Sequence, residues 1–175
     1  MGGEPQSVRQ VACLVLAIGI IGALALPSGG ATSAAQSCDR ESVAALVRTF
    51  VRAYNRGDSQ QLDQLWAPEP DFEWYSVSPD EREQDDAYDR ETLLPYFVRR
   101  HQLNDHLHMK SLRVGPENDL GHFGIAYRLH RQSNEQRGRG RYHGKAAAKQ
   151  IETLPSIDDL SRSRCVLFVW SMGKE

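Results

Sequence analysis

The sequence predicts an α+β domain. Three observations lead there. Helical spacing of apolar residues is confined to the first half of the chain, and strand-like runs fill the second half. Helices and strands segregated in this way argue an α+β domain. A chain of 175 residues is also the length of about one domain. Hydrophobic residues make up 40% and charged residues 25%, which excludes a collagen, a coiled coil or a wholly disordered chain. With 21 Lys+Arg against 23 Asp+Glu, net charge gives no general reason to expect nucleic acid as partner.

Residues 1–34 read as a signal peptide. Arg9 supplies a weak positive start, Val11 to Leu26 carries no charge, and Pro27-Ser28-Gly29-Gly30 ends the run before ATSAAQ. Small residues permit cleavage after Ala34 or Ala35. The alternative is an uncleaved N-terminal anchor, the one route to a membrane that the sequence offers. Secretion or another extracytoplasmic location follows from either. Residues 35–40 are then a short linker and residues 41–173 the domain. Cys13 leaves with the signal. Cys38 and Cys165 remain, and two cysteines outside the cytosol point to one disulfide or to two buried thiols.

The first helix shows Val43, Leu46, Val47, Phe50, Val51 and Tyr54 on one stripe, with Asp39 as N-cap and Gly57 as terminator. Asp58 starts a second helix, with Gln61 three residues on as a capping box and Leu62, Leu65 and Trp66 as its apolar face. DFEWYSVS (71–78) reads as a strand and PDEREQDDAYD (79–89) as a polar loop. Asp89 or Thr92 caps a third helix with Leu93, Leu94, Phe97 and His101 on its stripe. Pro95 fits a first turn, which favours Thr92.

Four strands follow, at His106 to Val114, Gly121 to Arg131, Tyr142 to Thr153 and Arg164 to Met172, with Pro155 to Arg162 as a loop. The last, RCVLFVWSM, is apolar on both parities. Either Val166-Phe168-Trp170 or Cys165-Leu167-Val169 covers the core, and the other set is left for a partner, a homodimer through the sheet. Arg141, His143, Lys145 and Lys149 on the neighbouring strand oppose a dry interface.

FVRAYNRGDSQQLDQLWAP (50–68), DFEWYS (71–76), a helix ending in RRH (99–101) and a terminal VWSM (169–172) resemble the nuclear-transport-factor-2-like superfamily, in its SnoaL-like (polyketide-cyclase) branch. The resemblance covers about residues 40–173. It implies a cone-shaped fold, with three N-terminal helices on a curved, mostly antiparallel sheet and a pocket between them. It also implies that the first helix passes over the sheet, so that Cys38 and Cys165 can meet. Ketosteroid isomerases of this fold carry a catalytic tyrosine seven residues before the Gly-Asp pair and an aspartate base in the first strand. The matching positions here are Phe50 and Trp74, which have no hydroxyl and no basic group to offer.

The sequence therefore favours an apolar pocket for a small apolar or aromatic molecule, without clear catalysis. Its candidate lining is Phe50, Tyr54, Trp66, Trp74, Tyr75, Phe97, His101, Phe168 and Trp170. One alternative is an isomerase, dehydratase or cyclase using His101 as base with a tyrosine. Another is a non-catalytic dimerisation or accessory module. No cofactor is expected. His106 and His108 share one strand face, but nothing in the sequence supplies a third and fourth metal ligand. The acidic stretch 69–91 lacks calcium-loop spacing. Arg137, Arg139 and Arg141 read as a solvated hairpin tip.

Overall fold

The computed structural model of the protein describes residues 38–77, 85–87, 89–153 and 162–175. Residues 1–37, where the sequence predicts a signal peptide, most of the acidic stretch 79–89 and residues 155–161, predicted as a loop, lie outside them. The elements are α1 (Arg40–Arg56), α2 (Ser59–Gln64), β1 (Glu73–Val77), β2 (Asp85–Ala87), α3 (Arg90–Gln102), β3 (His106–Glu117), β4 (His122–Gln132), β5 (Gly140–Thr153) and β6 (Arg162–Lys174). The six strands form one sheet in the order β2-β1-β6-β5-β4-β3. Every pairing is antiparallel except β1 with β6. The architecture is α+β, as the sequence predicts.

Asp39 caps α1 through a complete capping box with Ser42. The Asn-x-Gly-Asp turn after α1 works residue by residue. The Asn55 side chain donates to the Leu107 carbonyl at 2.9 Å and accepts from the Leu107 amide at 2.7 Å, stitching α1 to β3. Gly57 takes a left-handed φ of 66° and ends the helix, and the His101 ring occupies the space a Cβ there would need. Asp58 then caps α2 by accepting from the Gln61 amide. Gln61 does not return the bond, because its side chain receives Arg56.

Two expectations for the middle of the chain are corrected. Residues 85–87 are a strand and not loop: β2 pairs antiparallel with β1, Trp74 opposite Ala87. Three residues, two of them acidic, carry no recognisable strand pattern. The cap of α3 is Asp89, which accepts from the Thr92 amide at 2.7 Å, so Pro95 sits in the second turn.

Stripes on α1 (Val43, Val47, Phe50, Tyr54) and α3 (Leu93, Phe97) are buried with the inward face of the sheet: Phe123, Ile125, Tyr127 and Leu129 of β4, and Trp170 and Met172 of β6. The continuation of the α3 stripe is Arg100, which is buried, while His101 is exposed. In β6 neither parity alone faces the core. A register shift lies between Leu167, opposite Ala148, and Val169, opposite Ala147, so Leu167 and Trp170 are both buried and Phe168 falls between. Leu167 also bonds through its backbone to Leu65 and Ala67, which fastens the end of α2 to the sheet. At Gly144 the missing side chain makes room for the Tyr127 ring, which stacks on Trp170 at 4.5 Å and donates its hydroxyl to the Ser171 carbonyl.

Cys38 and Cys165 are joined as a disulfide, with Cα atoms 5.3 Å apart. It ties the residue before α1 to the start of β6.

Candidate functional site: an aromatic interior closed by buried arginines

The interior between the helices and the sheet is an aromatic cluster centred on Phe50. Its ring lies 4.5 Å from Trp170, 5.9 Å from Phe97, 6.1 Å from Tyr54 and 6.2 Å from Trp66, mostly tilted or edge-on. Trp74 of β1 packs on Tyr96 at 4.2 Å and on Phe97 at 6.5 Å. Phe50, Tyr54, Trp66, Trp74, Phe97 and Trp170 therefore come together and are all buried.

Two other candidates stand apart, and a third is placed only through its backbone. His101 is exposed at the end of α3, over Gly57. Phe168 is half-buried, against His122 at 4.6 Å and under the Lys149 ammonium at 5.4 Å. Tyr75 pairs through its backbone with Ser171; its side chain lies outside the described residues.

Among the described residues, two polar atoms inside this cluster have no hydrogen-bond partner: the Tyr54 hydroxyl and the Trp66 indole nitrogen. Both residues are buried and both flank Phe50. Buried polar groups are nearly always paired, so an unpaired donor calls for an explanation. Burial pushes the Tyr54 hydroxyl well above its usual pKa, so it stays protonated and available to donate.

Beyond Tyr54 the interior ends in charge. Asp105 is fully buried. Its carboxylate accepts Nε of Arg131 at 2.9 Å, a terminal nitrogen of Arg131 at 2.6 Å, and Nε of Arg100 at 2.6 Å. Arg100 continues to Glu135 at 2.6 Å. Arg131 also donates to the Tyr96 hydroxyl at 3.5 Å and lies 5.6 Å over the Tyr142 ring. Burial works against the Arg131 charge, but the hydrogen bonds and ion pair with the Asp105 carboxylate favour it and raise its pKa. The same Arg131 lines a surface concavity of about 570 Å³ with Asn104, His106, His130, Ser133 and Arg139. Another concavity lies over Ser59, Asp63, Leu94 and Val98 of α2 and α3; the Phe50 cluster lines neither.

The sequence reading does not single out Arg100, Asp105, Arg131, Tyr96, Tyr127 or Tyr142. One signal was available. Arg131 falls on the inward parity of β4 after Phe123, Ile125, Tyr127 and Leu129, where a charge needs a buried partner. His106 and His108 do not converge on other ligands: His108 meets Gln132 at 3.2 Å. Among the described residues no group of three His, Cys, Asp or Glu is arranged to hold a metal ion.

Known proteins bear on the fold alone. No protein-family model matches the chain, and no curated protein matches its sequence. Solved structures do match. A proposed dehydratase of the NTF2-like family from Streptomyces avermitilis aligns with a TM-score of 0.56 at 14% identity, over 77% of this chain and 94% of that one. An NTF2-like protein with a cystatin-like fold from Novosphingobium aromaticivorans aligns with a TM-score of 0.55 at 13% identity, over 78% and 81%. An NTF2-like protein of unknown function from Shewanella oneidensis MR-1 gives 0.53 at 12%, over 77% and 98%. The chain has the NTF2-like fold, as the resemblance in its sequence implies.

Proposed function

We propose that this is an exported, NTF2-like binding protein that takes a small apolar or aromatic molecule into the interior beside Tyr54, without catalysis. The observation that carries the reading is the buried Tyr54 hydroxyl, unpartnered among the described residues, its ring against Phe50 and Phe97 and within the electrostatic influence of Arg131. An aromatic guest bearing one hydrogen-bond acceptor would pair that hydroxyl and bury its ring on Phe50 and Phe97. Proton-transfer chemistry is disfavoured. Phe50 and Trp74 fill the two positions where ketosteroid isomerases hold their tyrosine and aspartate, and His101 is on the surface.

Titration with an aromatic acceptor such as 1-anilinonaphthalene-8-sulfonate tests this. The expected result is saturable one-to-one binding with energy transfer from the buried tryptophans of the folded protein. Absence of saturable binding to that probe and to a panel of aromatic ketones and acids overturns it.

Export rests on the signal architecture before Ala34 and is supported by the Cys38–Cys165 bond. N-terminal sequencing of exported protein should begin at Ala35 or Gln36; an intact Met1 on membrane-bound protein would favour the anchor instead.

A second reading, a non-catalytic accessory or dimerisation module with no ligand in its interior, is favoured by a different observation. The rings around Phe50 are already in contact with one another, which is how a purely structural core looks.

A further inference from the structure

The outward face of β3, β4 and β5 carries an array of cations that the interior does not use. Register fixes it. Arg113, Ala126 and Lys145 lie in one row across the three strands. Ser111, Arg128 and His143 lie in the next, and His108, His130 and Arg141 in the third. Strands are about 4.8 Å apart and same-face residues about 6.7 Å apart along a strand, so the rows make a compact two-dimensional grid. Arg113, Arg128, Arg141, His143 and Lys145 are all exposed. Glu175 is the acid seen beside them; it meets Arg141 at 3.5 Å, and Arg141 remains 81% exposed. Arg113, Arg128, His143, Lys145 and Glu175 rim a shallow trough of about 690 Å³. The whole chain has a net charge of −2, so the cations on this face are offset by acids placed elsewhere in the sequence.

We propose that this face docks on an anionic phospholipid surface. The grid is spread over two dimensions, which suits a layer of headgroups. No Phe, Tyr or Trp points outward in these three rows to stack on a base, as single-stranded nucleic acid sites provide. A second copy of the chain would bring Arg113, Arg128 and Lys145 against like charges. Binding here is independent of whether the interior holds a ligand.

The test is co-sedimentation of the full chain with vesicles of phosphatidylcholine containing about 30 mol% phosphatidylglycerol, and with pure phosphatidylcholine. The expected result is binding to the anionic vesicles that is weakened by raising salt from about 50 to about 500 mM. The triple variant R113E/R128E/K145E should bind at least about tenfold more weakly. The variant R40E/R48E/R52E makes the same change in net charge on exposed positions of α1 and should bind as the parent does. The two variants share the N-terminal apolar segment, so its own affinity for lipid cancels between them. An unchanged triple variant overturns the proposal, as does equal loss in both variants or equal binding to neutral vesicles. Preferential binding of a single-stranded oligonucleotide would make the partner a nucleic acid and overturn it. So would a dimer in sedimentation that R113E/R128E/K145E dissociates. If the triple variant unfolds, the single variants R128E and K145E replace it, each expected to weaken binding partly and together additively.

Discussion

Arg131 and Asp105 stand 26 residues apart in sequence and meet in the interior, three nitrogen–oxygen contacts of 2.6 to 2.9 Å joining the guanidinium to the carboxylate. Asp105 leaves the turn after α3, where Asn104 takes a left-handed φ of 50°, and enters just before β3. Arg131 ends the inward series of β4. The pair therefore locks the close of the helical half to the far end of the sheet, with Arg100 as a second guanidinium on the same carboxylate.

Asp105→Asn should destabilise the fold by about 3–5 kcal/mol, because it leaves two buried guanidinium groups without their charge partner. Urea unfolding of parent and variant measures it. A loss below about 1 kcal/mol would mean that water reaches the arginines and that the pair is not a closed element of the core.

Reading the sequence and reading the structure diverge at this point for a physical reason. The α1 stripe, the Asp39 and Asp58 caps, Gly57 and the long strands rest on local periodicity and backbone preference, which a linear pattern records. Asp105, Arg100 and Arg131 have their meaning in a contact between segments that only the folded chain brings together. The α3 stripe reads from the sequence as ending in His101, and nothing local marks Arg100. Its burial follows from Asp105, which accepts the guanidinium from the turn beyond the helix. β2 was illegible because three residues are fewer than one alternating pattern needs, and the β6 bulge was illegible because both parities are apolar. Of the aromatic candidates, those on the helices and on the inward positions of β1 and β6 converge; Phe168 leaves the set through the bulge.

Glu135 makes stability depend on acid. The hydrogen bond from Arg100 holds its pKa below the usual carboxylate value. A group depressed in the folded state adds stability above its unfolded pKa and loses it as pH falls through the folded value. The side chain is 36% exposed, so solvent screens the pair and the effect is small. Glu135→Gln should leave a protein that is slightly weaker at neutral pH and that loses less stability than the parent between about pH 5 and about pH 3. Urea midpoints measured across that range check it; parallel profiles would show that Arg100 does not favour the Glu135 charge.

The Cys38–Cys165 bond closes a separation of 127 residues. In the chain-entropy model a loop of that length contributes about 5 kcal/mol. Cys38→Ser with Cys165→Ser should lower stability by up to that amount, and mass spectrometry of the parent under non-reducing denaturation should find neither thiol free. A pair of alkylated thiols at these positions would refute the bond.

Tyr54→Phe separates the two readings of the interior, because they predict different outcomes for stability and affinity. The Tyr54 ring is held by Phe50 at 6.1 Å and Phe97 at 5.8 Å, contacts that phenylalanine keeps. The only loss is a hydroxyl that is buried and unpartnered. An unsatisfied buried polar group costs about 1–3 kcal/mol, so the unliganded variant should be as stable as the parent or more stable by up to that amount. If the hydroxyl is the recognition point for a guest, the same substitution should weaken probe binding by about tenfold, the weight of one lost hydrogen bond in a dry site. Thermal unfolding without probe and titration with it therefore move in opposite directions. Gained stability with unchanged affinity would leave the cluster as core and assign binding elsewhere. Lost stability would show that the hydroxyl has a partner in solution, an ordered water between Tyr54 and Arg131 being the simplest, and would remove the observation on which the ligand reading stands.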